Sequence, residues 1–288
     1  MLRERNLDIG VLRSFLLIAD GRSFSEAADL VGRSPSAVSL QIQRLEADLG
    51  APVFRRSNRE AVLTLAGERL LGFARRILRA NDEAVLAFRS GAEARGPLRF
   101  GATQDFAEAV LPDVLARFAE GHPNVELTLQ VDRSAKLIDA VADGAIDVAI
   151  AIRRDHPLNR GTLTEIPMIW IGREGLDLAP EEPVPLAMFD PPCSFRSAAI
   201  EGLAAAGRAH RVSFTSPSLS GLRMAVEAGL GLTVRTRHLL APRLDDMGAR
   251  LGLPPLPGVA FALYVGEGSA PWPARDDLVN LCRRAFQA

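Results

Sequence analysis

Hydrophobic spacing changes character along the chain, and the changes divide it into three parts. From Ile9 to Asp20, the residues Leu12, Phe15, Leu16 and Ala19 recur at helical spacing. A second short helix follows with Ala27, Ala28, Leu30 and Val31 as its packing side, and then a tight turn at Gly32-Arg33. Ser34 is an N-cap residue type, which places Pro35 at the first helical position, where its missing N–H costs nothing. Along the helix that Pro35 opens, Val38, Ile42, Leu45 and Leu49 form a buried stripe. After Gly50, Val53–Thr64 reads as two short strands around the basic turn Arg55-Arg56-Ser57-Asn58-Arg59.

A long helix is predicted from Thr64 to about Ser90. Leu70, Ile77 and Ala84 repeat every seven residues, as do Leu71, Leu78 and Val85, and Ala74, Asn81 and Phe88. Heptads predict pairing with another helix, through Leu70, Ala74, Ile77, Leu78 and Val85, with Asn81 near the seam able to set register. Residues 91–97, GAEARGP, have the composition of a hinge.

Beyond Pro97, short apolar strands alternate with helices, the pattern of an α/β domain. Strands are expected at Leu98–Ala102, Val125–Val131, Ile146–Ile152 and Ile166–Gly172, with helices at Phe106–Glu120 and Ala135–Asp143. A second unit follows: strand Pro185–Phe189, helix Ser197–Ala206, strand Arg211–Phe214, helix Leu219–Ala228 and strand Leu230–Val234. Strand Val259–Val265 then crosses back, and helix Asp276–Ala285 packs on the first unit. Two similar lobes joined by two crossovers make a clamshell like that of periplasmic binding proteins. The expected division is 1–63, 64–90, 91–97 and 98–288, with lobe I at about 98–170 and 259–288 and lobe II at about 171–258.

Composition narrows the class. The 288 residues are 48% hydrophobic and 24% charged, as in a soluble globular protein. Net charge is −1 overall, but residues 1–90 hold 14 Arg against 11 acids, a net of +3, and the remainder is −4. That asymmetry has the sign expected of a basic head that meets DNA. Two cysteines, Cys193 and Cys282, are too few for a disulfide framework or a zinc site. The start, MLRERNLDIG, is no signal peptide, and no apolar run reaches membrane-spanning length, so a cytoplasmic chain without membrane partners is expected.

Enzymatic readings fail on the residues. GLGLT at Gly229–Thr233 lacks the lysine of a phosphate-binding loop. The four histidines, His122, His156, His210 and His238, are scattered without metal-ligand spacing, and the serines show no triad pattern. No metal or cofactor is expected.

The chemistry instead gathers at two places. Opposite the stripe of the Pro35 helix lie Ser36, Leu40, Gln43 and Arg44, flanked by Ser39 and Gln41. Hydroxyls, amides and a guanidinium read base edges and phosphates, and Leu40 can touch a thymine methyl. Ser34 and Pro35 at the helix start and Arg55, Arg56 and Arg59 in the wing complete the expected DNA contacts. An ordinary amphipathic helix pair would show the same pattern. The second place is the cleft between lobes, where strand ends meet helix N-termini. Thr103-Gln104-Asp105-Phe106 and Thr215-Ser216 offer hydroxyls and backbone N–H groups suited to a small polar or carboxylate-bearing ligand. Arg153, Cys193, Phe195 and Arg196 stand beside them; as plain helix caps and solvated arginines these residues would look identical.

From Leu7 to about Phe88, Ser23-Phe24-Ser25, Ala27-Ala28, Ser36-Ala37-Val38-Ser39, Arg44-Leu45-Glu46, Val53-Phe54, Leu63-Thr64 and Ala66-Gly67 occur in an order that resembles the DNA-binding half of LysR-type transcriptional regulators. Pro35 and Leu40 depart from that pattern, standing where the family often has Gln and Arg. Leu111-Pro112, His122-Pro123, Gly144-x-x-Asp147 and Val226-x-Ala228-Gly229-x-Gly231 extend the resemblance across the rest. It implies a winged helix-turn-helix, a linker helix that dimerises antiparallel with its twin, and a two-lobed effector domain. The implied partners are a double-stranded operator, further copies of the chain in a dimer or tetramer, a small-molecule effector, and RNA polymerase. PPCSFR around Cys193 also resembles the reactive-cysteine segment of the family's peroxide-sensing branch, but Gly202 stands near where that branch has its second cysteine. A solute-binding α/β protein and a thiol-based sensor are therefore the alternatives.

Overall fold

A computed structural model describes residues 6–56, 61–89, 97–179, 181–266 and 272–286. The head opens with α1 (Ile9–Ala19), whose N-cap Asp8 accepts a hydrogen bond from Val11 N–H at 2.9 Å. In α2 (Phe24–Leu30) a capping box closes the start: Glu26 N–H donates to Ser23 Oγ, and Ser23 N–H donates to Glu26 Oε2. Then α3 (Pro35–Leu49) begins at Ser34, whose hydroxyl accepts from Ala37 N–H, and ends at left-handed Gly50. Strands β1 (Phe54–Arg56) and β2 (Ala61–Leu63) pair antiparallel as the wing.

Leu12, Phe15, Ala27, Val38, Ile42 and Leu45 form the head's core. Two expected core residues are outside it. Leu30 is 62% exposed because it projects about a quarter-turn away from Ala27, Ala28 and Val31. Leu49 is 40% exposed: it continues the stripe into the last turn, where α3 has run past its core.

The linker helix α4 (Leu65–Arg89) corrects the expected seam. Leu70, Ala74 and Leu78 are buried in this chain's own head core, and Leu71 and Ile77 pack against it. Arg13–Asp82 and Arg75–Asp20 ion pairs tie α4 further to α1 and its C-cap. Asn81 is half-buried and donates to Asp82, while Val85 is exposed. A heptad reports that a helix has an apolar face, not whose residues cover it; here α1 covers most of that face.

The C-terminal domain is built on a seven-stranded sheet and a two-stranded one. β3 (Leu98–Ala102) lies between β4 (Leu127–Val131) and β5 (Val148–Ile152), parallel to both. The fifteen-residue β6 (Asn159–Arg173) is the crossover. Next come β7 (Val184–Phe189), β8 (His210–Ser216), β9 (Thr233–Thr236), β10 (Leu244–Asp246) and β11 (Gly258–Val265). The first part of β6 pairs with β11, which returns antiparallel beside β5; its later part pairs with β9 and β10. β7 and β8 are parallel, and a bridge from Leu186 to Leu232 joins them to the approach of β9. One apolar core runs through both lobes, from Phe100 and Ile150 to Leu186 and Val234.

The expected helix 106–120 is two helices, α5 (Gln104–Ala109) and α6 (Leu111–Gly121). Pro112 has no N–H for the carbonyl of residue 108, and in a continuous helix its ring would clash with that carbonyl, so the chain breaks at Val110. Helices α7 (Ser134–Ala142), α8 (Ser194–Ala205), α9 (Leu219–Glu227) and α10 (Pro273–Arg284) complete the two lobes. Among the described residues no helix is long and apolar enough to cross a membrane.

Candidate DNA-facing helix and effector cleft

Burying Val38, Ile42 and Leu45 against the head core turns the opposite side of α3 outward. Ser36, Leu40, Gln43 and Arg44 are exposed there, with Ser39 half-buried at the flank. Ser34 and Pro35 are exposed at the helix start, and the Ser34 and Ser36 hydroxyls are 3.1 Å apart. The side chains of Gln43 and Arg44 make no hydrogen bond or ion pair among the described residues, so they present an uncommitted amide and guanidinium. Arg55 is exposed on β1. Arg56 pairs through its backbone with Ala61; its side chain, and the whole of Arg59, lie outside the described residues.

In the cleft, the strand ends and helix starts face each other as the topology requires. Among the described residues, four charged or amide side chains of α5 and the start of α7 cross from one lobe to the other, and three of them come from α5. Gln104 Oε1 accepts from Leu219 N–H at 2.6 Å, and its Nε2 donates to the Pro217 carbonyl. Asp105 Oδ1 lies 3.8 Å from Arg235 Nε. Glu108 pairs with Arg223 at 2.6 Å. The fourth is Arg133, at the N-cap of α7, which donates to Asp190 at 2.5 Å and to the Pro191 carbonyl. Hydrogen bonding from Arg133 holds the Asp190 carboxyl below the usual aspartate range.

Thr103 is only 6% exposed and does not cap α5; its Oγ1 has no partner among the described residues. Phe106 is a core residue, its ring centroid 5.3 Å from that of Phe286, and does not line the open cleft. Ser216 is spent on its own turn, accepting from Ser218 N–H, while Thr215 is exposed. Arg196 donates to the Phe189 carbonyl, holding the start of α8 to the end of β7.

An open cavity of about 380 Å³ sits where the lobes meet the crossovers. Arg153, Arg154, Asp155, Met168 and Ser194 line it with Gly258, Val259 and Ala260. Ser194 is the first residue of α8, whose N-cap, Cys193, makes no side-chain capping bond. This size suits a small molecule, and two arginines against one carboxylate, Asp155, beside a helix N-terminus favour an anion.

Cys193 is half-buried, 3.9 Å from Arg235 Nη1. Cys282, the chain's second thiol, is buried, and burial pushes its pKa up to about 12, which keeps it protonated and inert. Among the described residues no cluster of His, Cys, Asp and Glu is able to hold a metal ion. Arg133, Glu108 and Arg223 were not among the residues the sequence pointed to. The strand-to-helix junction Val131-Asp132-Arg133-Ser134 has the same form as the two that were, and that was the available signal.

Residues 9–68 match the family described as bacterial regulatory helix-turn-helix protein, lysR family, and residues 91–287 match LysR substrate binding domain. The chain is 39% identical over 259 residues to the HTH-type transcriptional regulator DgdR of Burkholderia cepacia, covering 90% of this chain and 88% of that one. It is 38% identical over 258 residues to the HTH-type transcriptional regulator PecT of Dickeya dadantii, with 90% and 81% covered. Full-length LysG from Corynebacterium glutamicum with bound effector Arg has a similar fold, at a TM-score of 0.67, 21% identity and 98% coverage of each chain. With the exposed polar face of α3 at one end and a two-lobed domain at the other, the chain belongs to the LysR family of DNA-binding transcriptional regulators.

Proposed function

We propose that the effector is a small anion held in the cavity at the lobe junction, and that its binding alters the geometry of the DNA-binding heads. The cavity itself is the observation that carries this reading: about 380 Å³, open to solvent, with Arg153, Arg154 and the start of α8 in its wall. In LysG the bound effector is an amino acid, arginine, and a carboxylate-bearing ligand fits the wall here. Ser36, Ser39, Leu40, Gln43 and Arg44 read the groove, with Ser34 and Pro35 at the backbone, while Arg55, Arg56 and Arg59 contact phosphates. A second copy pairs along the outward side of α4, where Phe73, Ala80, Ala84 and Val85 are exposed. Dimers or tetramers so formed place several heads on one operator, next to bound RNA polymerase, in the cytoplasm.

A thermal-shift screen of small carboxylates against the full-length chain tests the effector class. The expected result is stabilisation by at least one acid, lost in Arg153→Ala/Arg154→Ala. Stabilisation by neutral or cationic compounds alone would overturn it.

A further inference from the structure

Arg235 is 2% exposed, yet it is poorly paired. Phe189 and Phe195 clamp its guanidinium, with ring centroids 3.9 and 4.5 Å from Cζ. Aromatic faces fix the plane of the group but accept no N–H hydrogen bond in that plane. Nε has no hydrogen-bond partner among the described residues, and the Cys193 sulfur at 3.9 Å is a weak acceptor for Nη1. Asp105, itself 9% exposed, stands 3.8 Å from Nε, close enough for charge but too far for a hydrogen bond. A buried guanidinium is stabilised by a carboxylate in direct, preferably bidentate contact, and this one lacks it.

Arg235 does not itself line the cavity, but residues beside it border it. Thr236, the next residue, pairs with Met168, which lines the cavity; Cys193 precedes Ser194, which lines it too. Asp105 keeps a favourable position without Arg235, since it lies in the first turn of α5, where the helix dipole suits a carboxylate. Resting on the reading of the cavity as an anion site, we infer that Arg235 is an anion seat with an exchangeable occupant. Asp105 fills it loosely here, and the carboxylate of the effector replaces Asp105 there. The exchange cuts one of the three ties between α5 and the second lobe, leaving those of Gln104 and Glu108. Ligand occupancy thereby becomes a change in how the lobes are held.

Formate is the probe, compared with chloride at equal ionic strength in thermal melts of the full-length chain. Asp105→Asn empties the seat of its charge, so formate should raise the melting temperature of this variant by several degrees more than chloride does. Wild type should gain less, and Asp105→Asn/Arg235→Gln nothing beyond chloride. Equal formate responses in Asp105→Asn and wild type would overturn the proposal, as would a response that survives Arg235→Gln. Should the double variant not fold, hydrogen exchange of residues 233–236 in Asp105→Asn decides: formate slows it, and unchanged exchange refutes the seat. Arg153→Ala/Arg154→Ala separates the two readings. Loss of carboxylate binding in that variant, with the Asp105→Asn formate response absent, refutes the seat alone. No stabilisation of wild type by any carboxylate refutes the anion reading of the cavity.

Discussion

Arg79 on the linker helix forms an ion pair with Asp147, the residue that leads into β5 of the effector domain. Asp147 is 1% exposed and also accepts from Arg99 N–H at 2.8 Å, so one carboxylate ties the linker to the sheet. Beside it Arg76 donates to the Ala142 carbonyl at the end of α7, and Gly72 lies so close to Asp143 that a Cβ would meet Oδ1 at 2.5 Å. The effector domain thus grips α4 at the far end of the helix whose N-cap, Arg133, crosses the cleft.

Asp147→Asn leaves two arginines facing a neutral amide in a buried place. Such losses typically cost about 3 kcal/mol. Urea unfolding should show a drop of that order, and Arg79→Ala, which leaves the Arg99 contact in place, a smaller one.

The capping box of α2 should make the head sensitive to acid. Hydrogen bonds from Ser23 hold the Glu26 carboxyl below its ordinary 4.5. A depressed carboxyl contributes stability above its unfolded pKa and loses it as pH falls through the folded value. Glu26→Gln should therefore melt below wild type at neutral pH, and the gap should close as pH falls below 4.5. Ser23→Ala should cost about 1 kcal/mol at neutral pH.

Gln104 fills the start of α9 with its amide, in the manner of a ligand. Gln104→Ala leaves the Leu219 N–H without its partner and removes a tie between lobes. Hydrogen exchange at residues 218–221 should speed up severalfold, whereas exchange in α3 should not change.

Arg55 meets phosphate and not bases on this account. Arg55→Ala should weaken binding to operator and random duplex alike, and lower the slope of log affinity against log salt by about 0.9. A loss confined to the operator would assign it a base contact.

Much of this was legible in the residues. Strong punctuation made the head readable: Ser34 as a cap, Pro35 at the first helical position, Gly32 in the turn and Gly50 after the last helical stripe. Periodicity carried the α/β alternation, and the order of motifs carried the family. What failed had physical causes. Leu70, Ala74 and Leu78 advertised an apolar face whose cover, α1, no repeat could identify. Phe106 followed two polar cleft residues yet belongs to the core, because one step along a helix turns a side chain by about 100°. No local pattern marked Arg235; its burial between Phe189 and Phe195 depends on residues forty or more positions away.

The outward side of α3 is the part of the chain on which the regulatory account stands. Binding of the full-length chain to duplexes from the promoter of its own gene, against a random duplex, tests it when Ser36, Gln43 and Arg44 are changed to alanine singly. Each specific contact is worth about 1–3 kcal/mol, so each change should weaken promoter binding roughly tenfold or more and leave random-duplex affinity nearly unchanged. Promoter affinity that survives all three substitutions would contradict the account.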